Sequence, residues 1–320
     1  MSSTSKKVLV PVANGSEPIE AVIMIDVLRR SGADVTVASV EKQLRVDACH
    51  GVKIVADALV SDCHDAVFDL IALPGGMPVL ETIVKKQASA GRLYAVVCAS
   101  LDVALGSWGL LKGLKATCYP SFMEQLAPAC AATVESRVQQ DGKVVTSRGP
   151  GTTMEFAVES REQQLYGKEK VDEVSGPLVE RANHRDEFTI AEFNPIQWTF
   201  DNSPQILVPI ANGSEEMEAV IIIDILRRAK SNVVVASVED KLEILASRQV
   251  KLVADMLIDE ATKLSYDLIV LPGGLGGAQA FAKSEKLVNM LKKQKESNRP
   301  YGAICASPAL VLEPHGLLKV

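Results

Sequence analysis

The chain has 320 residues, of which 47% are apolar and 23% charged, and its net charge is −6. This is the balance of a globular protein with apolar material for about two cores. A mildly acidic chain has no electrostatic reason to bind nucleic acid or an anionic membrane, and no apolar run reaches the roughly 18 residues of a membrane span.

The first residues, "MSSTSKKVLV", contain no apolar segment long enough for a secretory signal, and a strand pattern begins too soon for a transit peptide. We therefore expect a cytosolic protein, with the nucleus as an alternative compartment. The six cysteines form no CxxC pair and the four histidines lack zinc-type spacing. The sequence predicts neither a disulfide scaffold nor a metal site.

Strand and helix patterns alternate from the start of the chain. "VLVPVA" predicts a buried strand, and "PIEAVIMIDVLRR" predicts a helix whose two final arginines suit a helix C-terminus. "DVTVASV" and "FDLIALPGG" predict further strands, the second ending in a glycine turn. Alternation of this kind predicts an α/β fold: a doubly wound, mostly parallel sheet with helices on both faces.

The chain also repeats itself. Residues 8–41 match residues 206–239, and "FDLIALPGG" returns as "YDLIVLPGG". We predict a first domain over 1–182, a linker over 183–204 and a second domain over 205–320. The second copy stops at "HGLLKV", which matches "WGLLKG" of the first. It lacks counterparts of the later strands and final helix, and is expected to expose strand edges and apolar faces.

"AVVCAS" and "GAICAS" place a cysteine between a predicted strand and a predicted helix in each copy. Such a turn directs Cys98 into the crevice at the carboxyl ends of the strands, where helix amides favour a thiolate. Glu20 on the first helix is a candidate proton donor in the same crevice, and Gly76 a candidate N–H donor. Alternatively, Cys98 is a buried structural residue and Glu20 a solvated carboxylate. Recurrence as Cys305 and Glu218 favours function, although core residues recur too.

Five segments, "VPVANGSEPIEAV", "DVLRRSGADVTVASVE", "LPGG", "AVVCAS" and "TSRGPGTTMEFA", together resemble the DJ-1/PfpI superfamily and its glyoxalase III branch, in the tandem arrangement of plants. The resemblance implies a flavodoxin-like fold in which the two halves pair as the family's homodimer does. It also implies that Cys98 and Cys305 are nucleophiles and that Glu20 and Glu218 are their partner acids. The implied oxyanion amides are those of Gly76 and Ala99 in the first copy and of Gly274 and Ala306 in the second.

The implied activity converts methylglyoxal or glyoxal to lactate or glycolate without glutathione or any cofactor. The thiolate adds to the aldehyde, the glutamate moves a proton between the two carbons through an enediol, and the thiolate leaves. The implied partners are a small 2-oxoaldehyde and the other half of the chain, with further oligomerisation left open. The alternatives are a protein deglycase and a redox-responsive chaperone or oxidative-stress sensor that uses the same cysteine.

The chain departs from the family pattern near the first cysteine. Tyr119 stands where the family often has a histidine, and the loop after Gly76 is shorter than its counterpart in the second copy. In the family the "SRGPGT" loop reaches the partner's site, so Arg148 and Gly149 are expected to line the Cys305 pocket. We therefore expect Cys305 to have the better-formed surroundings.

Charged residues of the first helix recur in the second copy. The simplest interpretation is a set of ion pairs on the helix or at the surface where the copies meet, rather than a set of catalysts. The recurring residues are Asp26, Arg29 and Arg30, which match Asp224, Arg227 and Arg228.

Overall fold

The computed structural model describes residues 5–76, 80–98, 105–162, 173–174, 178 and 203–318. Ala99, one of the predicted oxyanion residues, lies outside them, as do residues 77–79 of the shortened loop. The strands of the first copy are β1 (Lys7–Val12), β2 (Asp34–Ser39), β3 (Arg45–Asp47), β4 (Lys53–Val55), β5 (Ala58–Leu59), β6 (Leu70–Leu73), β7 (Leu93–Val97), β8 (Lys115–Ala116), β9 (Ala132–Thr133), β10 (Val138–Asp141) and β11 (Val144–Ser147). Its helices are α1 (Pro18–Arg30), α2 (Glu81–Ser89), α3 (Met123–Leu126) and α4 (Thr153–Glu162).

A seven-stranded sheet forms the core of the first copy, in the order β10-β11-β7-β6-β1-β2-β5. All neighbours are parallel except β10 and β11. The strands β6, β7 and β11 are buried along their whole length, as continuous apolar strands covered on both faces must be. The predicted α/β fold with a mostly parallel, flavodoxin-like sheet is confirmed.

The second copy repeats the order of five of these strands. Its strands are β12 (Gln205–Ile210), β13 (Asn232–Ser237), β14 (Glu243–Leu245), β15 (Lys251–Val253), β16 (Met256–Leu257), β17 (Leu268–Leu271) and β18 (Tyr301–Ala303), and its helices are α5 (Glu216–Arg228), α6 (Ile258–Ala261), α7 (Leu275–Lys283) and α8 (Glu285–Glu296). The parallel sheet runs β16-β13-β12-β17-β18. Among the residues described, β18 is its last strand, whereas the corresponding β7 of the first copy pairs further with β11.

The two copies share a sheet and a core. Strands β14, β15, β4 and β3 form a four-stranded sheet in which β15 of the second copy pairs antiparallel with β4 of the first. Ile54 and Leu252 face each other in that pairing and are both buried. Helix α1 packs against α5, and one apolar cluster contains residues of both copies. Burial of this apolar surface favours the association of the copies.

Within the described part of the chain, no helix is both long enough and apolar enough to cross a membrane.

Candidate active site

Cys98 lies on a strained turn directly after β7. Its backbone has φ 67°, in the left-handed region that non-glycine residues rarely adopt, and its N–H donates to the carbonyl oxygen of Ser147 at 3.0 Å. Cys305 repeats the conformation after β18, with φ 59°. Strain of this kind persists where the surrounding structure enforces it, and it clusters at functional sites.

Glu20 is fixed in the first turn of α1 by the helix cap. Glu17 caps the helix, because its Oε2 accepts a hydrogen bond from the N–H of Glu20 at 2.8 Å, and Pro18 occupies the first turn. The Glu20 side chain is completely buried. Its Oε2 accepts from the N–H of Gly75 at 2.6 Å, while Oε1 is buried and has no hydrogen-bond partner among the residues that the structure describes.

The environment of Glu20 favours its protonated form. Burial, and secondarily the neighbouring carboxylate of Glu17, raise the pKa of Glu20 to about 8, against the lowering effects of the Gly75 N–H, Cys98 and Arg228. Near neutral pH this carboxyl group is mostly protonated and can donate its proton. Because its pKa is close to physiological pH, the carboxylate form is also accessible as a base.

The burial of Glu20 predicts a pH-dependent stability difference for Glu20→Gln. Because the pKa is raised from 4.5 to about 8 on folding, the folded wild type loses stability as pH rises through this window. The glutamine cannot ionise, so the variant should gain stability relative to wild type between about pH 5 and pH 8, on the order of a few kcal/mol. Denaturant unfolding at both pH values measures the gain, and a pH-independent difference would contradict the assignment.

Gly75 separates the carboxyl group from the thiol. A Cβ atom placed on Gly75 would lie 2.6 Å from Oε2 of Glu20, 2.8 Å from Cβ of Cys98 and 3.2 Å from its Sγ. Only glycine therefore allows the two functional side chains to converge on this backbone. Gly76, the residue predicted from the sequence, has φ 76° and packs against the loop at Gly15. The paired glycines of "LPGG" were the available signal, because the second serves the turn and the first borders the site.

Tyr119 and Gly149 border the same site. A Cβ atom on Gly149 would lie 3.3 Å from the Tyr119 ring and 3.9 Å from Oε1 of Glu20. The expectation that this loop lines the Cys305 pocket is wrong for Gly149, because β11 pairs with β7 and delivers the loop to the first site. Arg148 donates through Nη1 to the carbonyl of Glu135 at 3.3 Å.

The second copy contains the same constellation in a more open setting. Oε2 of Glu218 accepts from the N–H of Gly273 at 2.7 Å, and a Cβ on Gly273 would lie 2.5 Å from Cβ of Cys305. Gly274 packs against Gly213, and Ala306 packs on the apolar cluster of the second copy.

The two sites differ in how far their surroundings close around them. Cys305 is exposed and Glu218 is only partly buried, whereas Cys98 is partly buried and Glu20 fully so. Among the described residues the Cys98 site is thus the more enclosed of the two, whereas the expectation favoured Cys305.

A cysteine on a strained strand end, facing a buried carboxyl group across a glycine, gives this α/β protein the local geometry that a nucleophile elbow has. The model of the DJ-1/PfpI family matches residues 6–163 and 204–320. The chain belongs to the DJ-1/PfpI family and carries the family's fold twice.

Three proteins illustrate the relationship. Protein DJ-1 homolog B of Arabidopsis thaliana is 70% identical over 100% of this chain and 74% of its own length. The solved structure of oxidized Toxoplasma gondii DJ-1 is 43% identical over 55% of this chain and 98% of its own, with a TM-score of 0.52. Glutathione-independent glyoxalase DJR-1.2 of Caenorhabditis elegans is 31% identical over 54% of this chain and 95% of its own length.

Proposed function

We propose that the first copy is a glutathione-independent glyoxalase that converts a small 2-oxoaldehyde, such as methylglyoxal, to its 2-hydroxy acid. One observation carries the proposal: Gly75 lets the buried carboxyl group of Glu20 and the thiol of Cys98 meet in one crevice. The glyoxalase name of the nematode relative supports the same reaction class.

The Cys98 thiolate attacks the aldehyde carbon, and the carbonyl oxygen takes the proton of the Glu20 carboxyl group to give a hemithioacetal. Glu20, as carboxylate, removes the proton of that carbon and returns a proton to the neighbouring carbon through an enediol. The result is a thioester of the 2-hydroxy acid, which water hydrolyses to release the acid and the thiolate. We assign the N–H of Gly76 to the developing oxyanion and the Tyr119 ring to the wall beside it.

A carboxyl group with a pKa near 8 suits this sequence of steps. The same group must act as base and then as acid, and such a shuttle works best when its pKa is close to the working pH. We assign Oε1 of Glu20 to the substrate, since Oε2 is held by Gly75 and Oε1 accepts no hydrogen bond within the described part of the chain.

The proposal predicts that the full chain forms lactate from methylglyoxal in buffer without glutathione. Chromatographic quantification of lactate against a protein-free blank measures it, and folding is checked by circular dichroism in the same sample. A folded protein that forms no lactate would contradict the glyoxalase assignment. Sulfination of Cys98 by peroxide under those conditions would then favour the redox-sensing alternative, in which a protonated Glu20 donates to the oxidised sulfur.

A further inference from the structure

One carboxylate ties the first site to the second copy. Glu17 caps α1 through Oε2, which accepts from the N–H of Glu20, and its Oε1 accepts from Nη2 of Arg228 at 2.7 Å. Arg228 is the last residue of α5 in the second copy. The anion nearest to Glu20 in the cap is thus neutralised by a cation from the other half of the chain.

Arg228 is itself held in place. Its Nε donates to Asp224, one turn earlier on α5, and the completely buried Asp224 also contacts Nδ1 of His50 at 2.6 Å. A guanidinium that bonds two carboxylates through different nitrogens has a fixed plane. Its side chain is 42% exposed, so solvent screens part of its field.

The electrostatic effects at Glu20 have opposite signs. The carboxylate of Glu17 raises the pKa of Glu20, whereas Arg228 lowers it. Burial raises the pKa of Glu17 as well, with Asp224 adding to the effect and Arg228 opposing it. The titratable and charged groups that act on one another around Glu20 in this cap are Glu17, Cys49, Cys98, Asp224 and Arg228.

We propose that Arg228 of the second copy is a positioning residue for the Cys98 site: it fixes Glu17 under the first turn of α1 and thereby sets the protonation balance of the Glu20 and Cys98 pair. The second copy then supports the chemistry of the first. This inference shares its site with the proposed function, but its test reads the thiol directly. It can therefore fail or succeed whether or not lactate is formed.

The molecule supplies a matched control on the opposite side of the same interface. Arg30 of α1 pairs with Asp26 and donates to Oε1 of Glu215 at 3.0 Å, and Oε2 of Glu215 accepts from the N–H of Glu218 at 2.8 Å. The arrangement is equivalent to that at Arg228 with the two copies exchanged, and it leads to the Cys305 site. Removing either arginine's charge disturbs one ion-pair cluster between the copies.

The experiment measures the rate at which iodoacetamide alkylates Cys98 in the full chain, across the neutral pH range, by peptide mass spectrometry. Arg228→Gln removes a positive charge, so the midpoint of the Cys98 profile should move to higher pH. Below that midpoint the rate should fall about threefold, equivalent to roughly half a pH unit. Arg228→Lys should keep most of the wild-type profile, and Arg30→Gln should leave the Cys98 profile unchanged.

A second variant gives the opposite sign. Glu17→Gln keeps the cap acceptor but removes the anion, so the midpoint of the Cys98 profile should move to lower pH. The equivalent variant of the second copy, Glu215→Gln, should not affect Cys98. The comparison of Glu17→Gln with Glu215→Gln tests the proposal even if Arg228→Gln fails to fold. An unchanged Cys98 profile in Glu17→Gln or in folded Arg228→Gln would overturn the proposal. Equal shifts in a variant and its matched control would overturn it too, because they would reflect general loosening of the interface.

Discussion

Cys98→Ser is expected to lower lactate formation from methylglyoxal by about a thousandfold or more, whereas Cys305→Ser should retain at least about half of the wild-type rate. Both cysteines have the strained backbone of a nucleophile elbow. Only Cys98 has a fully buried carboxyl partner, with Tyr119 and Gly149 beside it. A serine hydroxyl without an adjacent strong base is a far weaker nucleophile than a thiolate near neutral pH.

The two serine variants control for each other, because each removes one sulfur from the same position of the repeat. Initial rates of lactate formation, normalised to the folded fraction, give the comparison. Loss of activity in Cys305→Ser with retention in Cys98→Ser would place the working site in the second copy and contradict the assignment. Equal partial losses would mean that closure of the site by β11 and its loop contributes little to the reaction.

The secondary structure could be predicted well because its signals are local. "PIEAVIMIDVLRR" is the helix Pro18–Arg30, with its terminal arginines engaged as predicted. The predicted ion pairs are confirmed on both helices: Arg30 contacts Asp26 and Arg228 contacts Asp224, and each arginine also reaches a carboxylate of the other copy. Hydrophobic periodicity and charge at helix ends depend on neighbours a few residues apart, which a sequence displays directly.

The surroundings of the site could not be predicted in the same way. Whether the loop at Gly149 serves Cys98 or Cys305 depends on which strand β11 pairs with, and both copies present similar strands. The observed register pairs Ser147 with Val97, the residue before Cys98, and so settles the question. The local sequence pattern does not indicate which strands pair, because parallel strands are brought together by long connections.

The complete burial of Glu20 could not be predicted from the sequence either, because Glu20 and Glu218 occupy equivalent positions of the repeat. The helix, the cap and the glycine contact are the same in both copies. Only the tertiary surroundings differ, and they leave Glu218 partly accessible. Desolvation is the largest contribution to the raised pKa of Glu20, so the property on which the proposed proton shuttle depends comes from the fold around it.

Gly75→Ala should lower lactate formation by about a hundredfold or more while the fold remains intact. The added Cβ would lie 2.6 Å from the Glu20 carboxyl oxygen and 2.8 Å from Cβ of Cys98, distances that real contacts do not allow. The strain falls on the side chains of Glu20 and Cys98, because Gly75 does not have the positive φ of Gly76 and an alanine fits its backbone. Displacement of a catalytic pair by about 1 Å is sufficient for a loss of this size.

Gly273→Ala is the matched control, since its Cβ would meet Glu218 and Cys305 in the same way. It should perturb the second copy to a similar extent and leave most of the lactate formation. Steady-state rates, together with thermal unfolding of both variants, separate loss of the site from loss of the fold. If Gly75→Ala kept more than about half of the activity, the reaction would not need Glu20 and Cys98 in contact across this glycine. The proton shuttle would then have to come from another group.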